Sequence, residues 1–151
     1  MGGFNVKTFI KDTVKKIIKK YKTKDPYELC EFLNIKIFYE ELGTINGYYQ
    51  SCPKNKLIHL NKNLDKNFSN FVLAHELGHA LLHSKLNVLF LETNTFNLKN
   101  RFEFEANTFA AELLIDDDLL DEFRNSNYTL HEIACIKEIS EELVKLKFKL
   151  K

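Results

Sequence analysis

The spacing of apolar and polar positions predicts helices on both sides of a group of short strands. From Val6 to Tyr21 apolar residues recur every three or four positions opposite lysines, which predicts an amphipathic helix. Asp25, Pro26 and Glu28 have the spacing of a capped first turn, which predicts a second helix that ends near Asn34. Further helices are predicted over Phe71–His83 and Arg101–Ile115, and two short ones are predicted to begin at Thr129 and Ser140.

Three short segments between the second and third helices have the composition of strands. Ile35–Glu40 is rich in branched and aromatic residues, and a turn at Asn46-Gly47 follows it. Tyr48–Ser51 and Leu57–Asn61 are separated by a polar hairpin connection, so we expect a small antiparallel sheet of three strands. Lys85–Asn100 is predicted to be a loop, either a lid or a crossing to the next helix.

Candidate chemistry is concentrated in the segment Phe71–His83. His75 and His79 are four residues apart, so on a helix both imidazoles lie on one face and can bind one metal ion. Glu76 lies about 100° around the helix, where a carboxylate can reach a water on that ion. This pattern is typical of zinc hydrolases, in which the glutamate is the general base.

The alternative interpretation of this pattern is an amphipathic core helix with two hydrogen-bonded histidines. Apolar residues flank the pattern on both sides, so histidines without a ligand would be costly to bury. Gly78 costs a helix interior about 1 kcal/mol relative to alanine, which indicates that another backbone approaches closely there. Both observations favour the metal site.

The helix Arg101–Ile115 offers the third ligand. Glu103 falls on its alanine-rich side, which we expect to be buried, whereas Glu105 falls on its charged side, which we expect to face solvent. A buried carboxylate needs a partner, so Glu103 is the favoured ligand and Glu105 the alternative. Asn107, one turn after Glu103, is placed to hydrogen-bond a metal-bound imidazole.

Length and charge fit one soluble domain. The chain has 151 residues, of which 44% are hydrophobic, and a net charge of +1, so we expect a single domain (1–151) and no affinity for nucleic acid. Within it we expect a basic N-terminal helix (1–24), a peptidase core (25–115) and C-terminal helices (116–151). Up to position 24 there are eight lysines against one aspartate.

Three cysteines and the lack of long apolar segments bear on the compartment. Cys30, Cys52 and Cys135 are odd in number and have no metal-ligand spacing, which fits reduced thiols in a cytosolic protein. No segment approaches the 18 or so apolar residues that span a bilayer, so we expect no membrane association. The expected location is the cytoplasm.

Several segments together resemble the ImmA/IrrE family of metallopeptidases. They are Phe71–His83, the sequence Glu-Phe-Glu-Ala-Asn-Thr-Phe-Ala-Ala-Glu-Leu-Leu that begins at Glu103, and the strands Ile45–Tyr49 and Ile58–Asn61. The resemblance covers roughly residues 25–145 and is specific because two separate motifs occur in order. Where the family often has Met-Pro, this chain has Ile115 and Asp116, which affects the local turn rather than the metal site.

The resemblance implies a gluzincin-like zinc peptidase of phages, mobile elements and bacteria. By motif position, His75, His79 and Glu103 are the ligands of one zinc ion and Glu76 is the general base. Family members cleave or antagonise a helix-turn-helix repressor, so the expected partner is a repressor-type protein substrate. We expect a mostly helical, zincin-like α+β domain with its sheet beside the metal-binding helix, and no separate N-terminal DNA-binding module.

Substrate contacts are less well defined by the sequence. Tyr48 and Tyr49 are candidates to face a substrate at a sheet edge, and His59 is a candidate to line the same edge. For these three residues, cross-strand packing is the alternative. His83, at the end of the metal-binding helix, is a further candidate to face the substrate. The group that stabilises the oxyanion is not identifiable, and the weak candidates are Tyr48, Tyr49, His83 and His131.

Two other functional classes remain open from the sequence. The two C-terminal helices have the lengths of a helix-turn-helix, which would make the protein a DNA-binding regulator, but the second begins with the acidic Ser140-Glu141-Glu142. An inactive interaction module stabilised by zinc would keep the histidines and have no need for Glu76.

Overall fold

The computed structural model describes Gly3, residues 5–83 and residues 96–150. In those ranges the chain forms helices around one small sheet, which confirms the α+β class. In chain order the elements are α1 (Val6–Tyr21), α2 (Pro26–Phe32), β1 (Ile35–Glu40), β2 (Gly47–Cys52), β3 (Asn55–Asn61), α3 (Lys66–Leu82), α4 (Phe96–Leu114), α5 (Leu119–Arg124), α6 (Leu130–Ile136) and α7 (Glu141–Phe148).

The three strands form a mixed sheet in the order β1-β3-β2. β2 and β3 are antiparallel, but β1 pairs with β3 in parallel, so the prediction of a purely antiparallel sheet is wrong. β3 lies at the centre of the sheet because Ile58, His59 and Leu60 are all buried, so both faces of this strand are covered. β1 therefore pairs with β3 and not with β2, and β2 lies at a sheet edge beside α3.

Side-chain caps define where several helices begin. Asp25 caps α2 by accepting a hydrogen bond from a backbone N–H two residues on, at 2.8 Å. The expected capping box with Glu28 does not form, because the Glu28 carboxylate accepts from the hydroxyl of Thr23 instead. At the start of α6, Thr129 and Glu132 form a complete capping box, as their spacing predicts.

α3 is the central helix of the larger core. It packs against α2, β2, β3 and α4, so apolar residues are needed around most of its circumference, as expected for an enclosed helix. Its first turn is capped by Asp65, which accepts from the N–H of Phe68 at 2.9 Å. The fully buried side chains of this core include Ile10, Leu29, Ile58, Leu60, Leu73, Leu77, Phe109 and Leu113.

The C-terminal half differs from the sequence prediction in two places. α4 begins at Phe96 and not at Arg101, so the last residues of the predicted loop are helical; the part of that loop from 85 to 95 lies outside the described residues. α5 was not predicted, although Leu119 packs into a second, smaller core with α4 and α7. Within the described ranges, the helices are too short or too polar to cross a membrane.

Candidate metal centre

Two helices bring together the three predicted metal ligands. α3 carries His75 and His79, and α4 carries Glu103. The two Nε2 atoms are 3.2 Å apart; the carboxylate oxygens of Glu103 lie 3.1 Å from Nε2 of His75 and 2.9 Å from Nε2 of His79. Among the described residues, these three side chains form a group whose ligand atoms all lie within 4.8 Å of one another.

Close packing of α3 on α4 sets this spacing. Gly78 faces α4, where a Cβ atom would lie 3.1 Å from Cβ of Phe109 and 3.3 Å from both Cα and the carbonyl oxygen of Ala106. A side chain at this position would therefore push the two helices apart. The close approach predicted from Gly78 is confirmed, and it lies next to His79 on one helix and one turn from Glu103 on the other.

The hydrogen bonds around the two imidazoles direct their Nε2 atoms towards each other and towards Glu103. Nδ1 of His75 lies 2.8 Å from Oδ1 of Asn107, and an amide oxygen only accepts, so Nδ1 carries the proton. Nδ1 of His79 lies 3.0 Å from Nδ1 of His83, outside the ligand group. With one proton on each ring, both Nε2 lone pairs and the Glu103 carboxylate face one another, an arrangement that a cation stabilises.

The separations and the chemistry of these donors fit a divalent transition metal ion. Zinc takes imidazole nitrogen and carboxylate oxygen at about 2.0–2.2 Å, which puts neighbouring ligand atoms about 3.3–3.6 Å apart in a tetrahedral site. The observed separations of 2.9–3.2 Å approach this range. Two imidazoles and one carboxylate leave a coordination position for water or substrate, as in catalytic sites.

His75, His79 and Glu103 form a partly buried cluster of titratable side chains. Close contact with the imidazoles of His75 and His79 holds the pKa of the Glu103 carboxyl far below its usual range. Burial is the largest single influence and lowers the pKa of His75, but Glu103, Glu76 and Asn107 together outweigh it and the net shift is upward. The side chain of Glu103 is 43% exposed and those of the histidines 10–13%, so the group opens to solvent on the side of Glu103.

Glu76 lies against the edge of the sheet. It is buried, and the backbone N–H of Tyr49 on β2 donates to its carboxylate. Burial raises the pKa of Glu76, and the neighbouring His75 and His79 oppose this shift. A carboxylate with a raised pKa beside a metal group is suited to exchange protons near neutral pH.

The structure places Glu105 and His83 differently from the sequence prediction. Glu105, expected to face solvent, is buried against the residue that follows α3. Its carboxylate lies 2.7 Å from Nε2 of His83 and 2.9 Å from Nε of Arg101. His83, a candidate to face the substrate, is instead buried behind His79, and burial lowers its pKa.

The other candidate contacts are packed elsewhere. Tyr48 stacks on His59 with ring centroids 4.4 Å apart, and His59 stacks on Phe38, so these rings pack across the strands. Tyr49 is buried in the larger core. His131 is on α6, where its Nδ1 lies 3.1 Å from the carboxylate of Glu141.

Sequence reasoning did not connect His83 with Glu105. The signal was present, since His83 continues the four-residue spacing of His75 and His79. The prediction that Glu105 faces solvent is wrong because it assumed that one side of α4 is exposed. Neighbouring elements cover this helix on more than one side.

Comparison with known proteins adds an independent observation. The family described as IrrE N-terminal-like domain, Peptidase M78, matches residues 30–149. Over 141 residues the chain is 42% identical to the uncharacterized immunity region protein 2 of Bacillus phage phi105, covering 93% of this chain and 89% of that protein. Over 115 residues it is 39% identical to metallopeptidase ImmA of Bacillus subtilis strain 168, covering 75% of this chain and 67% of that protein.

Proposed function

Since the chain belongs to the Peptidase M78 family of IrrE N-terminal-like domains, a metallopeptidase family, we propose that it is a zinc-dependent endopeptidase. The observation that carries this proposal is the convergence of three donor side chains within 4.8 Å, with both imidazole Nε2 atoms directed at one carboxylate. His75, His79 and Glu103 would hold the ion. When bound, the ion supplies Lewis-acid activation of a water and of the scissile carbonyl.

Glu76 is the proposed general base. Its raised pKa and its place next to both histidines suit it to take the proton from the attacking water and to deliver it to the leaving amine. The N–H of Tyr49 holds the carboxylate at the sheet edge, which restricts its rotation. Asn107 keeps the ring of His75 in one orientation through the hydrogen bond at Nδ1.

The sheet provides the proposed place for an extended substrate. β2 is an edge strand, and its Tyr49 contacts Glu76, so a peptide aligned along this edge would pass the general base. Main-chain hydrogen bonds to an edge strand hold a peptide in register without demanding a particular sequence. The position of β2 therefore supports a polypeptide substrate over a small molecule.

The proposed substrate is a repressor-type regulator protein of a phage or mobile element. Two observations support it: the resemblance of the motifs to a family whose members act on repressors, and the relative named as a phage immunity region protein. The proposed site of action is the cytoplasm, where such a regulator meets its operator.

Incubation of the purified protein with a repressor-type protein of a phage immunity region tests the proposal. We expect the zinc-loaded protein to cut it and a chelator to stop the reaction. Glu76→Gln should bind one zinc ion per chain yet cleave at least about 100-fold more slowly, because it cannot accept the proton. Glu112→Gln, which changes a carboxylate elsewhere on α4, is the matched control and should cleave normally.

Two outcomes would contradict this account. Full cleavage by Glu76→Gln would rule out its role as general base. Zinc binding by the wild type without cleavage of any offered regulator would favour the inactive, metal-stabilised module instead.

A further inference from the structure

A chain of hydrogen bonds extends from the candidate metal centre into the protein behind His79. Nδ1 of His79 lies 3.0 Å from Nδ1 of His83, and Nε2 of His83 lies 2.7 Å from Oε2 of Glu105. The second carboxylate oxygen of Glu105 accepts from Nε of Arg101 at 2.9 Å. We call the four residues His79, His83, Glu105 and Arg101 the relay.

The direction of each hydrogen bond in the relay follows from donor and acceptor chemistry. The guanidinium of Arg101 only donates and the carboxylate of Glu105 only accepts, so Nε2 of His83 must donate to Glu105. With one proton on each imidazole ring, Nδ1 of His83 is then an acceptor. His79 must therefore donate from Nδ1, which leaves the lone pair of its Nε2 directed at Glu103 and His75.

The relay is shielded from water except at its far end. The side chains of His83 and Glu105 are 4% and 9% exposed, whereas that of Arg101 is 64% exposed. Hydrogen bonds to a charged group are stronger away from water, and a buried carboxylate must be paired to be tolerated. The ring of Phe102 packs on His83 with centroids 4.3 Å apart and encloses the relay further.

The two histidines of the metal group are thus oriented by different means. Asn107, a neutral amide, accepts directly from His75, whereas a full carboxylate acts on His79 through a second imidazole. We propose that His83 and Glu105 are positioning residues that fix the tautomer of His79 and raise the basicity of its Nε2. This inference rests on the metal site of the proposed function and concerns ligand strength, not the peptide-cleaving step.

Zinc affinity measured by competition with a chromophoric chelator tests the proposal. Partners of this kind typically change metal affinity 10–100-fold, so we expect Glu105→Gln to bind Zn²⁺ about 10–100-fold more weakly than the wild type. Glu112→Gln removes a carboxylate of similar burial from the same helix, with a side chain 11% exposed, and should bind Zn²⁺ like the wild type.

Two substitutions of His83 distinguish a positioning role of this side chain from a role in packing alone. His83→Gln keeps an amide oxygen that can accept from Nδ1 of His79, whereas His83→Leu fills the space without an acceptor. We expect His83→Gln to retain more Zn²⁺ affinity than His83→Leu. The visible spectrum of the Co²⁺-loaded protein should change in Glu105→Gln and His83→Leu and stay unchanged in Glu112→Gln.

The melting temperature of each metal-free variant controls for folding. If Glu105→Gln fails to fold, Arg101→Gln provides the test, since it alters the exposed end of the relay; we expect a loss of Zn²⁺ affinity of about twofold, the usual size for an exposed ion pair. Wild-type affinity and an unchanged Co²⁺ spectrum in folded Glu105→Gln would overturn the proposal.

The two proposals fail in different ways. Weaker Zn²⁺ binding by Glu105→Gln, with no cleavage by the loaded wild type, would support the relay and contradict the peptidase. Normal cleavage by the wild type with unaltered Zn²⁺ affinity in every relay variant would support the peptidase and contradict the relay.

Discussion

The two histidines of α3, and His83 directly after this helix, each have a partner on α4. His75 meets Asn107, His79 meets Glu103 and His83 meets Glu105, with separations of 2.7–2.9 Å. Histidines four residues apart on one helix are therefore matched by polar residues along the facing helix. The site is built from pairs of side chains, so a change on either helix alters the orientation of a ring.

Motif spacing predicted part of this arrangement. The convergence of His75, His79 and Glu103 followed from the spacing of the motifs, and so did the contact between Asn107 and His75. The expected burial of Glu103 is wrong, since its side chain is 43% exposed. The burial of Glu105 could not be derived in this way, because it depends on contact with His83, 22 positions away in sequence.

Cysteine reactivity should follow burial at the level of single residues. All three cysteines are free thiols; Cys30 is buried and Cys135 exposed, and burial raises the pKa of Cys30 to about 12. Because the thiolate is the reactive form, we expect a thiol-specific chromogenic reagent to modify Cys135 quickly in the native protein. Cys30 should react only on unfolding.

A Cys135→Ser variant provides the control, since it should lose the fast phase and keep the slow one. Equal rates for every thiol of the native protein would contradict the burial of Cys30.

At the scale of elements, the contact between α3 and α4 determines the geometry of the site. The backbones approach at Gly78, where there is no space for a Cβ atom without movement of Ala106 or Phe109. The same contact places Glu103 against the two histidines, so helix spacing and ligand spacing are coupled.

Gly78→Ala should weaken metal binding although alanine is the better helix former. The gain in helix propensity is about 1 kcal/mol, and overpacking costs about 1–3 kcal/mol, so the net effect on stability is a loss of up to about 2 kcal/mol. Thermal unfolding of the metal-free protein and a Zn²⁺ titration measure the two effects. Gly78→Ser should be worse in both.

A higher melting temperature together with unchanged Zn²⁺ affinity in Gly78→Ala would contradict this account. It would show that a Cβ atom at position 78 fits between the two helices without disturbing the three donor side chains.

The sheet shows what element-level reasoning from sequence can and cannot supply. Composition located each strand to within one or two residues, because branched and aromatic side chains favour extended structure. Strand order was not accessible, since it depends on which strand is covered on both faces. β3 is that strand, with Ile58 and Leu60 fully buried on one face and His59 packed between Phe38 and Tyr48 on the other.

At the scale of the whole molecule, α4 joins two apolar cores. Phe109 and Leu113 belong to the larger core with the sheet and α3, whereas Ala111 and Ile115 belong to the smaller core with α7. The side chain of Lys147 on α7 is 3% exposed, donates to the carbonyl of Ile115 and lies 2.9 Å from Asp117. The C-terminal helices thus brace the end of the helix that carries Glu103.

The acidic residues at the start of α7 fit a helix that packs within the protein and does not read DNA. Leu143 and Val144 are buried against α4, and Glu141 pairs with Lys145 at 3.0 Å. Negative side chains near a helix N-terminus stabilise the helix through its dipole, whereas a DNA-reading helix needs basic or amide groups there. These features favour a structural role for α7 within a peptidase.

Anomalous diffraction at the zinc absorption edge, recorded from crystals soaked in Zn²⁺, tests whether α3 and α4 hold one divalent ion between three side chains. We expect one strong peak per chain at bonding distance from Nε2 of His75, Nε2 of His79 and the carboxylate of Glu103, and we expect a chelator to remove it. A map without a peak at these residues, or with zinc bound only elsewhere, would contradict this prediction.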